Sequence, residues 1–349
     1  MKSALILYPF VDDPQSVILY EELINRGFHV HYLPFSISDG NIIDNSFTIT
    51  NKKIIYKGED ITNVAAVFIR ALTFSVPSNI PALISETEYA HWRVKYIDER
   101  NRFNTIFSML TILQNRGALI LNHPETYFHH NTKSQFFSYL YKNGFNTPPF
   151  ISTNRIDDIE ILKERELIAK STYGVGATRN VNLEEIDKYE LLKTPAMFQE
   201  KVDGYTVRVH TVGTKIVLSL KILSDSIDSR TDATGFEVIK LDEKIEREII
   251  DINRLFNIYY SAWDIVIDNN ENYYLLDCNT GPYIYWIGKY FTRVVMRSLS
   301  ELILGYYEHK DLELASQVIE HHKLDFSKVF KNKEFGHLSK EDSILRLHL

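Results

Sequence analysis

Cysteine is nearly missing from this chain, with one residue in 349. A single thiol closes no disulfide framework and builds no multi-cysteine metal site, and it fits a reducing compartment. Long apolar runs are missing too. Nowhere do ~18 apolar residues follow one another, the length that a membrane-spanning helix needs. The start, MKSALILYPFVDDPQ, holds a short apolar run before Pro and paired Asp, too brief for a signal-peptide core and without a small-residue cleavage site. An excess of positive charge is also lacking. Against 46 Asp and Glu stand 39 Lys and Arg, a formal net charge of -7, which disfavours a phosphate backbone as the main partner. Internal repeats and low-complexity stretches are absent. These absences lead to the expectation of a cytoplasmic protein without a membrane or nucleic-acid partner.

What is present is a globular composition, 44% hydrophobic and 24% charged, with 21 Tyr and 20 Phe to fill a sheet-based core. The length suggests about two domains. Apolar runs at Ala4 to Tyr8, His29 to Leu33, Val64 to Ile69 and Ala118 to Leu121 read as strands, and Gln15 to Asn25 and Ser85 to Asn115 as helices between them. That alternation predicts parallel strands with crossover helices over residues 1–125. A helix follows from Thr132 to Asn143. From Glu166 the texture changes to short strands with tight turns, interrupted by helices at about 183–192 and 243–256, an α+β pattern. After Gly305 the chain is polar and helical.

Chemistry concentrates in SAWDIVIDNNENYYLLDCNTGP, residues 261–282. An Asp/Asn-rich loop between two apolar runs is a hairpin signal. With the turn centred between Asn270 and Glu271, Asp264 and Asp277 stand opposite each other on one face. Asn279 shares that face, and Cys278 points away from it into an apolar side. Two carboxylates ~5 Å apart repel by about 3 kcal/mol at an effective dielectric of about 20. A divalent cation with hard oxygen ligands would compensate, and two carboxylates with an amide oxygen suit Mg²⁺. On that reading, removing one carboxylate relieves repulsion in the metal-free protein. A solvated hairpin would carry the same acids, but the flanking Trp263, Ile265, Leu275 and Leu276 argue for a buried setting.

Two further segments are cationic. In LIAKSTYGVGATRNV, residues 167–181, a strand carrying Lys170 runs into Gly174 and Gly176 before another strand. Backbone N–H groups of such a loop can wrap phosphate oxygens, and a plain hairpin turn is the competing reading. No Gly-Lys-Ser/Thr follows, and Arg179 occupies the third position of a G-x-G-x-x-G, which excludes the Walker and dinucleotide loops. In YTVRVHTVGTKIVLSLKI, residues 205–222, alternation puts Thr206, Arg208 and His210 on one strand face, and Ser219 and Lys221 on one face of the next strand. His210 has no partner at ligand spacing and is not expected to bind metal.

The order of these segments resembles the ATP-grasp superfamily: a lysine strand with a glycine loop, a Gln-Glu-Lys-Val strand, an arginine hairpin, then Asp…Asp-x-Asn. Within it the chain is similar to the graspetide ligases, the microviridin-type maturases that macrocyclise ribosomal peptides. The likeness rests on VFIRALTF (67–74), LNHPETYFHHNTKSQFFSYLYKNGFNTPPFISTN (121–154), Asp228 and Arg230 of SDSIDSR, and DCNTGPYIYWIG. The resemblance implies an α/β pre-grasp domain (1–125), an α+β ATP-grasp domain with a lid subdomain (126–198) and a catalytic subdomain (199–308), and a helical, polar tail (309–349).

It further implies that Lys133 and Lys170 contact ATP phosphates, with Gly174 and Gly176 in the phosphate loop. Gln199, Glu200, Lys201 and Val202 would form the adenine-reading hinge, and Asp203 would reach the ribose. Arg208 matches an arginine beside the transferring phosphate, with Lys221 near it. Asp264, Asp277 and Asn279 match Mg²⁺ ligands, and Asp228 and Arg230 an acceptor base and a carboxylate clamp. The substrate would be a precursor peptide, leader plus core, whose Asp or Glu side chains are phosphorylated and closed to esters or amides with Ser, Thr or Lys. A homodimer is compatible with this scheme. Two positions depart from the superfamily pattern: Asp277 stands where Glu is usual, which leaves one or two Mg²⁺ ions open, and Thr206 stands where Asp is common. A ligase adding free amino acids, or a nucleotide-binding partner protein with a decayed metal site, remain as alternatives.

Overall fold

The computed structural model describes residues 2–8, 13–34, 46–70, 85–159, 162, 165–172, 178–181, 195–224, 233–313 and 329–331. The chain divides into two compact units, Met1–Pro124 with Ser300–Asp311, and Glu125–Leu299 with Leu312–Leu349.

In the first unit the strands are β1 (Ser3–Tyr8), β2 (His29–Pro34), β3 (Phe47–Ile49), β4 (Ile54–Tyr56), β5 (Glu59–Asp60), β6 (Ala66–Ile69) and β7 (Leu119–Leu121), with helices α1 (Pro14–Asn25) and α2 (Glu86–Asn115). Strands β2-β1-β6-β7 form a parallel sheet. Every residue of β1 is buried, as expected of a strand covered on both faces. Helix α1 starts where the Asp13 carboxylate accepts the Ser16 backbone N–H and Pro14 supplies a preset φ. Asp13 also holds Arg70, at 3.1 Å, in a buried pair. Helix α2 opens on a capping box in which Ser85 and Glu88 satisfy each other's backbone N–H groups. The antiparallel sheet β3-β4-β5 was not foreseen, because its strands of two or three residues carry too little periodicity to register.

The second unit contains α3 (Tyr127–Asn131), α4 (Lys133–Lys142), β8 (Phe150–Thr153), α5 (Ile156–Ile159), β9 (Leu167–Ser171), β10 (Arg179–Val181) and β11 (Ala196–Glu200). It continues with β12 (Gly204–Val212), β13 (Lys215–Leu223), β14 (Gly235–Val238), α6 (Glu243–Leu255), β15 (Tyr260–Asp268), β16 (Tyr273–Asn279) and the start of α7 (Lys289–His309). Strands β10-β9-β11-β8 make a small sheet. A six-stranded sheet runs β16-β15-β12-β13-β14-β17, where β17 (Val329–Lys331) is a strand within the tail, a feature the polar composition there did not announce. The helix expected at 183–192 lies outside the described residues.

One face of the large sheet carries the core. Val207, Val209, Trp263, Ile265 and Cys278 pack with Ile249 and Ile252 of α6 and Phe136 and Phe137 of α4. Trp263 is fully buried and donates its indole N–H to Asn253 Oδ1 at 3.1 Å, while Asn253 Nδ2 donates to Thr211. This closed polar network fixes α6 on the sheet in one register. The other face of the sheet is left for the polar residues described below.

Gly204, the first residue of β12, lies against β15. A Cβ there would stand 2.2 Å from the Ile267 carbonyl oxygen, inside any tolerable contact. Gly204→Ala is expected to push β12 off β15 and cost about 1–3 kcal/mol, read as a lowered denaturation midpoint with an unchanged slope.

Candidate active site

The hairpin β15–β16 builds the site. Its turn is closed by Asp268, whose carboxylate accepts the backbone N–H groups of Asn270 and Asn272, and Glu271 adopts a positive φ of 63°. The turn is centred on Asn270, half a residue from the expected position. A bulge between Ile265 and Asp264, opposite Leu276, then shifts the register by one and sets Asp264 opposite Asp277, Trp263 opposite Cys278 and Ala262 opposite Asn279. The expected pairing is therefore present, reached through a turn and a bulge that compensate each other.

The carboxylates do not face each other unscreened. Arg208 lies across from Asp264 on β12, and its Nη1 donates to both carboxylate oxygens at 2.7 Å. Lys133, at the start of α4, places Nζ 2.7 Å from Asp277 Oδ2. Asp277 Oδ1 also accepts the Cys278 backbone N–H at 3.0 Å. The compensation expected from a divalent cation is already supplied within the chain: each acid has a buried cationic partner. Asn279 Oδ1, one row along, accepts the Gly281 N–H. Cys278 points away, is 1% exposed and belongs to the core cluster. Burial, then the charges of Asp277 and Asp264, push its thiol well above the usual range, so it is inert.

Lys170 extends from β9 and donates to Gln199 Oε1 at 2.9 Å and to the carbonyl of the bulged Leu276 at 3.3 Å. The bulge thus aims a backbone oxygen at a lysine of the small sheet. Between the sheets lies a cleft of about 580 Å³, lined by Ile168, Lys170, Thr206, Ile222, Val266 and Leu276 and closed at one end by the 200–204 segment. There Glu200 pairs with Arg165, Lys201 with Glu166 at 2.6 Å, and Val202 and Asp203 border the opening. The Asp203 side chain is exposed.

Lys221 is a correction. It pairs with Val207 and Glu237, so alternation turns it to the face opposite Arg208. Its ammonium lies over the Tyr205 ring, 4.5 Å from the centroid, with Glu237 at 3.9 Å, and it borders the cleft at its edge. Gly174, Gly176, Asp228 and Arg230 lie outside the described residues. One feature had no clear sequence signal: Trp286 lies beneath the Arg208 guanidinium at 5.8 Å. His210 lies on the Arg208 face of β12, as alternation places it, and is fully buried with neither ring nitrogen partnered among the described residues. Burial, then the Arg208 charge, holds the His210 pKa well below its ordinary value.

The donor set fits a nucleotide with a divalent metal. Arg208 Nε and Gln199 Nε2 are buried donors without a partner among the described residues, beside Asp264 and Lys170 respectively. Two carboxylates and an amide oxygen on adjacent rows match hard-cation coordination, and Lys133, Lys170 and Arg208 match phosphate oxygens.

Solved structures share this architecture. The ATP-grasp ligase PsnB, complexed with a phosphomimetic variant of a minimal precursor, Mg and ADP, superposes with a TM-score of 0.72 at 19% identity, covering 88% of this chain and 99% of that one. The fold is that of the ATP-grasp ligases. A RiPP-associated ATP-grasp ligase from Chryseobacterium gregarium, in complex with ADP and a leader and core peptide, gives 0.67 at 19% identity over 87% and 97%. The macrocyclase MdnC from Microcystis aeruginosa, bound with precursor peptide MdnA, gives 0.63 at 16% identity over 85% and 99%. Neither protein-family models nor curated proteins match the sequence. No helix among the described residues is long and apolar enough to cross a membrane.

Two outcomes follow. Asp264→Asn strips the buried Arg208 of its counter-charge, so the metal-free protein should lose about 1–3 kcal/mol rather than gain stability, measured by urea unfolding without divalent ions. His210 has a folded pKa below its unfolded one, so the unfolded state takes up the proton first as pH falls. Stability should therefore drop below about pH 6.5, by up to about 1.4 kcal/mol per pH unit. His210→Leu should flatten that part of the profile, and an unchanged slope would assign the proton to another group.

Proposed function

We propose that the chain is an ATP-dependent ligase that activates Asp or Glu side chains of a ribosomal precursor peptide and closes them onto Ser, Thr or Lys as macrocyclic esters or amides, releasing ADP and phosphate. The observation that carries this reading is the Arg208–Asp264–Asp277–Lys133 row, with Asn279 beside it, on the same face of the large sheet as Thr206 and Val266, which line the cleft between the two sheets of an ATP-grasp fold. Similarity to ligases solved with ADP and precursor peptides supports the substrate class.

Asp264, Asp277 and Asn279 would hold Mg²⁺, which when bound neutralises phosphate charge and orients the transferring group. Arg208 and Lys133 would then exchange their carboxylate partners for phosphate oxygens. Lys170 and the 199–203 segment would hold the rest of the nucleotide, with Ile168, Ile222, Val266 and Leu276 supplying the apolar walls for the base. A peptide carboxylate oxygen attacks the γ-phosphorus, the bond to the β-bridging oxygen breaks, and ADP leaves. Arg208 stabilises the charge that develops. The acceptor oxygen or nitrogen then attacks the acyl carbon, its proton passes to Asp228, and phosphate departs. Arg230 would clamp the donor carboxylate. Most of the rate comes from positioning and charge neutralisation, because a free carboxylate is a poor electrophile until phosphorylated.

Co-expression with the short peptide encoded nearest the gene, followed by mass spectrometry, tests this. Each ring closed should remove one water, about 18 Da, a loss that follows from the condensation of donor and acceptor. Asn279→Ala should abolish the loss. Asp228→Asn should slow ring closure about 10²–10⁴-fold while ADP release persists and hydroxylamine traps an acyl phosphate; Arg230→Ala should reduce both steps. Ligation of free amino acids to the peptide, with mass gain in place of loss, would replace macrocyclisation by intermolecular ligation, and nucleotide binding without turnover would reject the enzyme reading.

A further inference from the structure

The first unit carries a second constellation, far in sequence from any residue assigned above. His29 and His31 are two apart on β2, so strand alternation sends both side chains to one face. Among the described residues strand β2 ends its sheet, pairing with β1. Glu59 arrives from β5, in a different sheet. Ligand atoms of His29, His31 and Glu59 all lie within 4.8 Å of one another.

The placement is rigid. Lys57 and Gly58 both have positive φ, 52° and 79°, forming the two-residue turn that fixes Glu59 opposite Tyr56. Tyr56 donates its hydroxyl to the Pro34 carbonyl at 3.0 Å, tying that hairpin to the end of β2. The neighbouring Asp60 is committed elsewhere, its carboxylate accepting both the backbone N–H and the hydroxyl of Thr62. Glu59 is thus the carboxylate left to meet the histidines. His31 is buried, whereas His29 and Glu59 are exposed, so an ion can enter from solvent.

The spacing decides what the group could hold. His31 Nδ1 and Glu59 Oε2 stand 3.3 Å apart. Tetrahedral zinc with bonds of about 2.0–2.1 Å to nitrogen and oxygen requires ligand atoms roughly 3.3–3.4 Å apart. That pair already spans one edge of the tetrahedron. A His31–Glu59 ion pair alone would explain the 3.3 Å contact, but it leaves the convergence of the exposed His29 without a role. The rings of His29 and His31 meet edge to face with centroids 4.7 Å apart, close enough for a side-chain rotation to bring a His29 nitrogen to the same centre. Two imidazoles and one carboxylate select zinc-like ions over Mg²⁺ or Ca²⁺, which take oxygen ligands.

We propose that His29, His31 and Glu59 form a binding site for Zn²⁺ or a similar divalent transition ion, with three protein ligands and one position open to water. Bound metal would staple the β2 end of the parallel sheet to the β3-β4-β5 sheet. This proposal is independent of the ligase reading.

Cobalt is the probe. The full-length protein, in excess Mg²⁺ to occupy the oxygen sites, is titrated with Co²⁺ and then Zn²⁺. One equivalent should give visible bands of tetrahedral Co²⁺ that Zn²⁺ bleaches, and Zn²⁺ should raise the Tm through linkage to the folded state. His29→Ala and Glu59→Gln, both at exposed positions where folding is retained, should weaken binding at least about tenfold and cancel the Tm shift. Asp264→Asn should keep the bands. Absence of bands up to millimolar Co²⁺, bands unchanged in both ligand variants, or bands lost in Asp264→Asn would each overturn the proposal.

Discussion

Two like charges held on adjacent strands constrain this protein more than any other interaction. Asp264 and Asp277 are cross-strand neighbours in a half-buried sheet, and a bare pair would cost about 3 kcal/mol. The fold answers with one cation for each acid. Arg208 comes from the neighbouring strand and Lys133 from the first turn of α4. The site is therefore a charge-balanced unit in which every member holds another in place. In the proposed reaction a phosphate and a metal would enter by exchange, with cations moving to phosphate and carboxylates to metal.

The same economy appears at the small sheet. The β16 bulge leaves the Leu276 carbonyl outside the regular ladder, and Lys170 takes it up together with Gln199. A bulge is thus used twice: it sets the Asp264–Asp277 register and supplies an acceptor to the opposite wall of the cleft. Arg208 Nε and Gln199 Nε2, buried donors without a partner among the described residues, are where the proposed nucleotide would complete the network.

Below that polar face the sheet turns to an apolar one. Alternation along β12, β15 and β16 sends Val207, Val209, Trp263, Ile265 and Cys278 into the core while Arg208, Asp264 and Asp277 lie on the opposite face. The Trp263–Asn253–Thr211 network locks α6 beneath, so the chemistry rests on strands that cannot slip without burying charge. Structural likeness to peptide-modifying ATP-grasp ligases at 16–19% identity is likeness of this scaffold and not of sequence.

Periodicity alone determined the parallel strands of the first unit, the helices α1 and α2, the β15–β16 hairpin and the turn of Cys278 into the core, because each depends on local spacing of two or 3.6 residues. The pairing of Asp264 with Asp277 was legible for the same reason, although the turn and bulge behind it were not: their offsets cancel, and cancelling shifts leave no trace in the pattern. What only tertiary structure decided are contacts between distant segments. Lys133 reaches Asp277, Trp286 lies under Arg208, and His31 meets Glu59 from another sheet. Lys221 shows the limit within a single sheet. Its strand and alternation were evident, but which face it shares depends on the register of β12 against β13, and that register is set by cross-strand packing rather than by the residue itself.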